Sequence, residues 1–92
     1  MELLFKATFI RELSGIKQKD VLKRVYIILH QIEKAKTPAE IGGIRKLEEY
    51  AHFYRIKIKM SDRQDYRLVL MIRGNKVWAL SIVRAAKVFY KR

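Results

Sequence analysis

The sequence predicts an α+β domain in which an N-terminal strand and two main helices pack on one face of a mostly antiparallel sheet. Three observations predict it: a stretch of two-residue alternation, one long helical apolar stripe, and a tight turn between two further apolar runs. In HFYRIKIKM, residues 52 to 60, Tyr54, Ile56, Ile58 and Met60 interleave with Arg55, Lys57 and Lys59. Successive strand side chains point to opposite faces, so one face is apolar and the other carries three cations about 7 Å apart.

In chain order, Glu2 to Ala7 reads as a short strand. Thr8 is a candidate N-cap for a brief helix through Phe9, Leu13 and Ile16 that Gly15 ends or bends. From Asp20 the pattern becomes helical, with Val21, Val25, Ile28, Leu29 and Ile32 on one stripe and Lys19, Lys23 and Lys34 outside it. TPAE at 37 to 40 has the capping-box spacing, with Thr37 as N-cap and Glu40 three residues on, so a further helix start is signalled there. After RKLEEYAH the chain reads as strands at 53 to 60, 66 to 72 and 76 to 83, with a last candidate at Val88 to Tyr90. Gly74 and Asn75 between the second and third form a two-residue hairpin turn, Gly first and therefore suited to type II′.

Residues 1 to 92 make a single domain with enough apolar residues for a core, 50% of the chain. The charge of +12, from 21 basic and 9 acidic residues, argues for a polyanionic partner. It is uneven: residues 1 to 44 hold 8 basic and 5 acidic residues, residues 45 to 92 hold 13 and 4. With no cysteine, disulfides, a thiol nucleophile and thiolate metal sites are excluded. His30 and His52 stand at no ligand spacing, so neither a metal nor a cofactor is expected. The start MELLFKATF is charged too early for a signal peptide, and no apolar run reaches a membrane span; the expectation is a cytoplasmic protein without a membrane partner.

Counting outward from the turn pairs Arg73 with Lys76, Met71 with Trp78, Val69 with Leu80 and Arg67 with Ile82, which sets Arg84 on the face of Arg67. An odd loop such as Ser61 to Asp65 pairs Lys59 with Arg67 and gathers Arg55, Lys57, Lys59, Arg67 and Arg84 on one face. An even loop sends Arg67 to the other side, and the sequence leaves the parity open. Like charges collected on one face repel unless an anion lies between them, which makes this set a phosphate-binding candidate. Trp78, Tyr26, Phe53 and Tyr54 read as core or helix contacts, and His52 and His30 as surface, capping or structural groups.

The order of elements and several local strings resemble the RelE/ParE superfamily of bacterial toxins, of type II toxin–antitoxin modules, over nearly the whole chain. The strings are the segment Ile44 to Leu47, HFYRIKI, DYRLVLMI at 65 to 72, and the terminal VRAAKVF. The resemblance implies a RelE-like fold. Through its RelE branch it implies a metal-independent endoribonuclease that cleaves mRNA on the ribosome, with contacts to 16S rRNA, and that a cognate antitoxin protein silences. Carried over to this chain, it implies catalytic roles for Arg55, Lys57, Arg67 and Arg84, with RNA contacts from Lys59, Arg63, Phe89 and Tyr90. Two departures stand out: Ala85 and Ala86 follow Arg84 where relatives carry further basic residues, and Phe89 falls where a tyrosine is usual, with Tyr90 one position on. The alternative is a ParE-like gyrase inhibitor or a catalytically impaired RNA-binding relative.

The chemistry of internal RNA cleavage asks for a group to deprotonate the 2′-OH, cations around the phosphorus, and a proton for the leaving 5′ oxygen. A lysine crowded by Arg55, Lys59 and Arg67 is expected to titrate below a free one, which makes Lys57 the base candidate. Arg67 suits the two-oxygen clamp, and Arg84 the transition state or leaving oxygen. The antitoxin is expected to contact the basic face or its border at Lys87 to Arg92, and a short antitoxin-like reading frame is expected beside this one.

Overall fold

A computed structural model describes residues 1–60 and 65–84. Strand β1 (Glu2–Phe5) leads into helices α1 (Ala7–Ser14) and α2 (Lys19–Lys34), then a 3-10 turn (Pro38–Glu40). Strands β2 (Ile44–Lys46), β3 (Phe53–Ile58), β4 (Tyr66–Arg73) and β5 (Lys76–Arg84) follow. They form one sheet in the order β1-β5-β4-β3-β2, antiparallel except where β1 lies parallel to β5. The candidate strand at Val88 to Tyr90, the border at Lys87 to Arg92, and Arg63, Ala85, Ala86 and Phe89 lie outside the described residues.

The core lies between the helices and one face of the sheet. Central strand β4 sends Tyr66, Leu68, Leu70 and Ile72 inward, joined by Ile56 and Ile58 of β3 and by Val77, Ala79 and Ile82 of β5. Phe9 of α1 and Val21, Val25 and Ile32 of α2 close over them, with Ile28 and Leu29 partly buried beside. Burying such an aliphatic side chain contributes about 1.5–3 kcal/mol relative to exposure, so the period-2 and period-3.6 stripes hold the two layers together. No helix among the described residues is long and apolar enough to cross a membrane.

Local signals behave unevenly. The α1 helix begins at Ala7, not after Thr8, and its N-cap Lys6 contributes no side-chain bond. TPAE yields only the 3-10 turn: Glu40 reaches back to accept the Lys36 backbone N–H at 3.0 Å, but Thr37 makes no cap bond. Gly43, at φ 76°, then turns the chain into β2, an edge strand not foreseen. At the hairpin, Gly74 has φ 59° and Asn75 has no positive φ, as a type II′ turn requires. Among the described residues, His52 is the non-glycine residue in the left-handed region, at φ 71°, and its carbonyl accepts the Ile72 N–H at 2.8 Å.

Two registers decide where the cations go. The β3–β4 connection, residues 59–65, is odd, and Asp65 Oδ1 closes it by accepting the Met60 N–H at 3.1 Å. Its parity therefore puts Lys57 and Arg67 on one face, although Arg67 faces Lys57 directly and not Lys59. Between β4 and β5 the pairing starts as expected, Arg73 with Lys76 and Met71 with Trp78, and then slips at Val69/Leu70. Leu80 is the extra residue of a bulge, so Val69 faces Ser81, Arg67 faces Val83, and Arg84 faces buried Tyr66.

Strand β1 pairs with β5 only as far as Ala79. Beyond it the outer edge of β5 is met by α1, where Glu12 Oε1 accepts the Ile82 N–H at 2.9 Å. Replacing Glu12 by Ala leaves that half-buried N–H without this acceptor and is expected to cost about 1–2 kcal/mol in urea unfolding, whereas Glu12→Gln, which keeps an acceptor, should lose much less. At the other end of the sheet, His52→Val forces a β-branched residue into the left-handed region and is expected to lower stability by about 1–2 kcal/mol; His52→Gly should not.

Candidate nucleic-acid interface

The helices leave the second face of the sheet uncovered, and the register fixes what stands there. Reading across β2, β3 and β4, its positions are Arg45, Phe53, Arg55, Lys57, Arg67, Val69, Met71 and Arg73, without an acidic residue. Arg45 faces Arg55, and Lys57 faces Arg67, which puts each pair of Cβ atoms about 5 Å apart. Arg55 faces Val69 and is therefore the diagonal neighbour of Arg67. Gly43, Arg45, Arg55, Lys57 and Lys59 line a groove of ≈ 450 Å³ along this edge of the sheet. Lys59 lies just past the end of β3 and still belongs to the cluster.

Arg67 sits on the central strand and is half-buried, whereas Lys57 on the neighbouring strand is exposed. Burial first, and the nearby Arg55 charge second, lower the pKa of the Arg67 guanidinium from its ordinary value. Arginine remains protonated in proteins even so. Among the described residues, no group of His, Asp and Glu side chains could hold a metal ion.

The expectation for Arg84 is corrected. With Leu80 bulged, Arg84 stands on the helix side of the sheet and lines a groove with Arg11, Glu12, Ile16 and Tyr66, away from Arg55, Lys57 and Arg67. Arg63, Phe89 and Tyr90, the remaining expected RNA contacts, fall outside the described residues. Trp78 is also corrected: it is no part of the helix-covered core. It stands on the open face in a row with Leu4, Met71 and Phe53, next to the cations. The Tyr50 ring extends this row, 6.0 Å from that of Phe53. Arg45 was missed because three residues of β2 are too few to show an alternation, and only its pairing with Arg55 reveals its place.

Neither a protein-family model nor a curated protein sequence matches the chain. Solved structures do. The RelB–RelE antitoxin–toxin complex of Methanococcus jannaschii superposes with a TM-score of 0.74 over 94% of this chain and 94% of that one, at 19% identity. The fold is that of RelE. The intact E. coli RelBE toxin–antitoxin complex matches this RelE-like chain with a TM-score of 0.67 at 22% identity, over 91% of it and 95% of the other. An arginine double mutant of the E. coli RelE toxin in the free state gives 0.70 at 22% identity, over 94% and 84%. Identities this low carry the fold and leave the role of each side chain to the geometry of this RelE-like sheet.

That geometry has a measurable cost. Like charges facing each other across paired strands destabilise by about 0.2–1 kcal/mol each. Lys57→Glu places an anion opposite Arg67 and is expected to raise the urea midpoint by an amount in that range, with the gain shrinking as salt is added.

Proposed function

We propose that the chain is the toxin of a toxin–antitoxin pair and acts as a ribosome-dependent endoribonuclease on mRNA. The observation that carries this reading is the Lys57–Arg67 pair with Arg55 diagonal to it, a cationic cluster on the sheet face that the two helices do not cover. The likeness to RelE toxins supports it, and so do their complexes with antitoxins.

In the proposed reaction the 2′ oxygen attacks the adjacent phosphorus, the bond from phosphorus to the 5′ oxygen breaks, and a 2′,3′-cyclic phosphate forms. Lys57 serves as the base that takes the 2′-OH proton. Arg55 and Arg67 donate to the non-bridging oxygens, where charge accumulates as phosphorus becomes five-coordinate. The leaving 5′ oxygen takes its proton from solvent. Arg45 and Lys59 hold neighbouring phosphates, and the Trp78 and Phe53 rings offer stacking surfaces beside them. Arg84, on the other side of the sheet, has no step in this scheme. A wet, exposed amine and a half-buried guanidinium divide the work sensibly: the group that must gain and lose a proton is a lysine, and the fixed clamp is an arginine.

In vitro translation with toe-print mapping tests the proposal. Cuts within the codon in the ribosomal A site are expected for the unmodified chain, and Lys57→Ala and Arg67→Ala should each slow cleavage by about 10²-fold or more. Inhibition of gyrase supercoiling without RNA cuts would support the ParE-like alternative. For RNA binding alone, Arg45→Gln and Lys59→Gln should each flatten the dependence of affinity on salt by about one phosphate's worth.

A further inference from the structure

Four aromatic residues read from the sequence as core or helix contacts end in three places. Tyr54 packs partly buried against the core, Tyr26 of α2 is 58% exposed, and Phe53 and Trp78 stand half-buried on the sheet face that the helices leave open. There they form a band across the strands: Phe53 of β3 faces Met71 of β4, Met71 faces Trp78 of β5, and Trp78 faces Leu4 of β1. Neighbouring strands lie about 4.8 Å apart, which sets Phe53 and Trp78 about 10 Å apart with Met71 between them.

Cations flank the band on both long sides. Arg55 stands two residues along β3 from Phe53, and Arg73 two residues along β4 from Met71 in the opposite direction, each about 7 Å from the band. Lys76 faces Arg73, but Glu2 faces Lys76 and offsets it, so Arg73 is the cation that counts on that side. Flat rings on an open sheet, between two lines of positive charge, match a single-stranded nucleic acid: its bases need an apolar surface and its phosphates need cations beside it.

We infer that Trp78 and Phe53 are specificity-determining residues, each stacking on one base of a single-stranded RNA and together favouring purines. This rests on the reading of the face as an RNA site and adds which bases that site prefers. A purine covers more of an indole or phenyl ring than a pyrimidine does, and preference on such platforms follows stacking strength. The band lies four residues along β4 from Arg67, about 13 Å, so a base held by Trp78 belongs to a nucleotide other than the one gripped at Lys57 and Arg67. A second copy of the chain fits the band poorly, because a two-fold contact there brings the flanking arginines of two molecules of charge +12 together.

Trp78 is the sole tryptophan of the chain, so its emission reports on this band alone. The test titrates the full chain with 2′-O-methyl oligonucleotides of about six residues, an oligo-A, an oligo-U and an abasic backbone of equal charge. Expected are saturable quenching of Trp78 by oligo-A and an affinity for it at least threefold above oligo-U and at least tenfold above the abasic backbone. By anisotropy of labelled oligonucleotides, Trp78→Leu should weaken oligo-A at least fivefold and bring the ratio of oligo-A to oligo-U affinity near one. Phe53→Leu should weaken oligo-A at least threefold while Trp78 is still quenched, and circular dichroism checks that both variants fold. Four outcomes would each overturn the inference: no binding of any oligonucleotide; binding of oligo-A without a change in Trp78 emission, as cover of the band by residues 85–92 would give; equal affinity for oligo-A and the abasic backbone; or two leucine variants that keep the affinity and base preference of the unmodified chain. None of these oligonucleotides has the 2′-OH that cleavage needs, so the endoribonuclease reading stands or falls by the translation assay and not by these titrations.

Discussion

Strand β4 cannot bury Tyr66, Leu68, Leu70 and Ile72 without turning Arg67, Val69, Met71 and Arg73 to the other side, and the rest of the molecule is organised around that alternation. The two helices supply only enough apolar surface to cover one face, so the second must carry whatever the odd positions hold. Each buried aliphatic contributes about 1.5–3 kcal/mol, several times what a facing pair of like charges costs. The core therefore holds Lys57 and Arg67 together against their repulsion. It also holds them on paired strands rather than on loops, and the phosphate grip proposed for them would gain from that rigidity.

The division of basic residues over the sheet follows from depth. On the central strand, where neighbours crowd from both sides, stands an arginine, whose delocalised and weakly hydrated cation tolerates partial burial. Toward the edge, Lys57 of β3 and Lys59 just past its end are exposed to water. Arg45 faces Arg55 from the short edge strand β2, and a cation on an edge strand also discourages another chain from pairing there. Six of the 13 basic residues in 45 to 92 stand on the three adjacent strands β2, β3 and β4.

Much of this could be read from the sequence where a pattern had room to repeat. The alternation of HFYRIKIKM, the inward stripe of α2 and the Gly74–Asn75 turn each appeared in the structure where the residues placed them. Reading failed where one residue mattered. The inward set Val77, Ala79 and Ile82 steps by two and then by three, a bulge in plain view, but Leu80 is itself apolar and passes for an inward residue. From that single slip came the wrong face for Arg84. Tyr26 was misread for the opposite reason: an aromatic on a helix with a strong apolar stripe looks like part of the core, and only packing tells which side it takes. β2 escaped because a strand of three residues has no period.

The bulge at Leu80 bears on how this chain should be aligned with others. Without Leu80, Ala79 and Ser81 would keep their partners on β4, and every later residue of β5 would keep its face. Relatives can therefore differ in length by one residue here at little structural expense. A comparison run through this point without a gap displaces everything after it by one position.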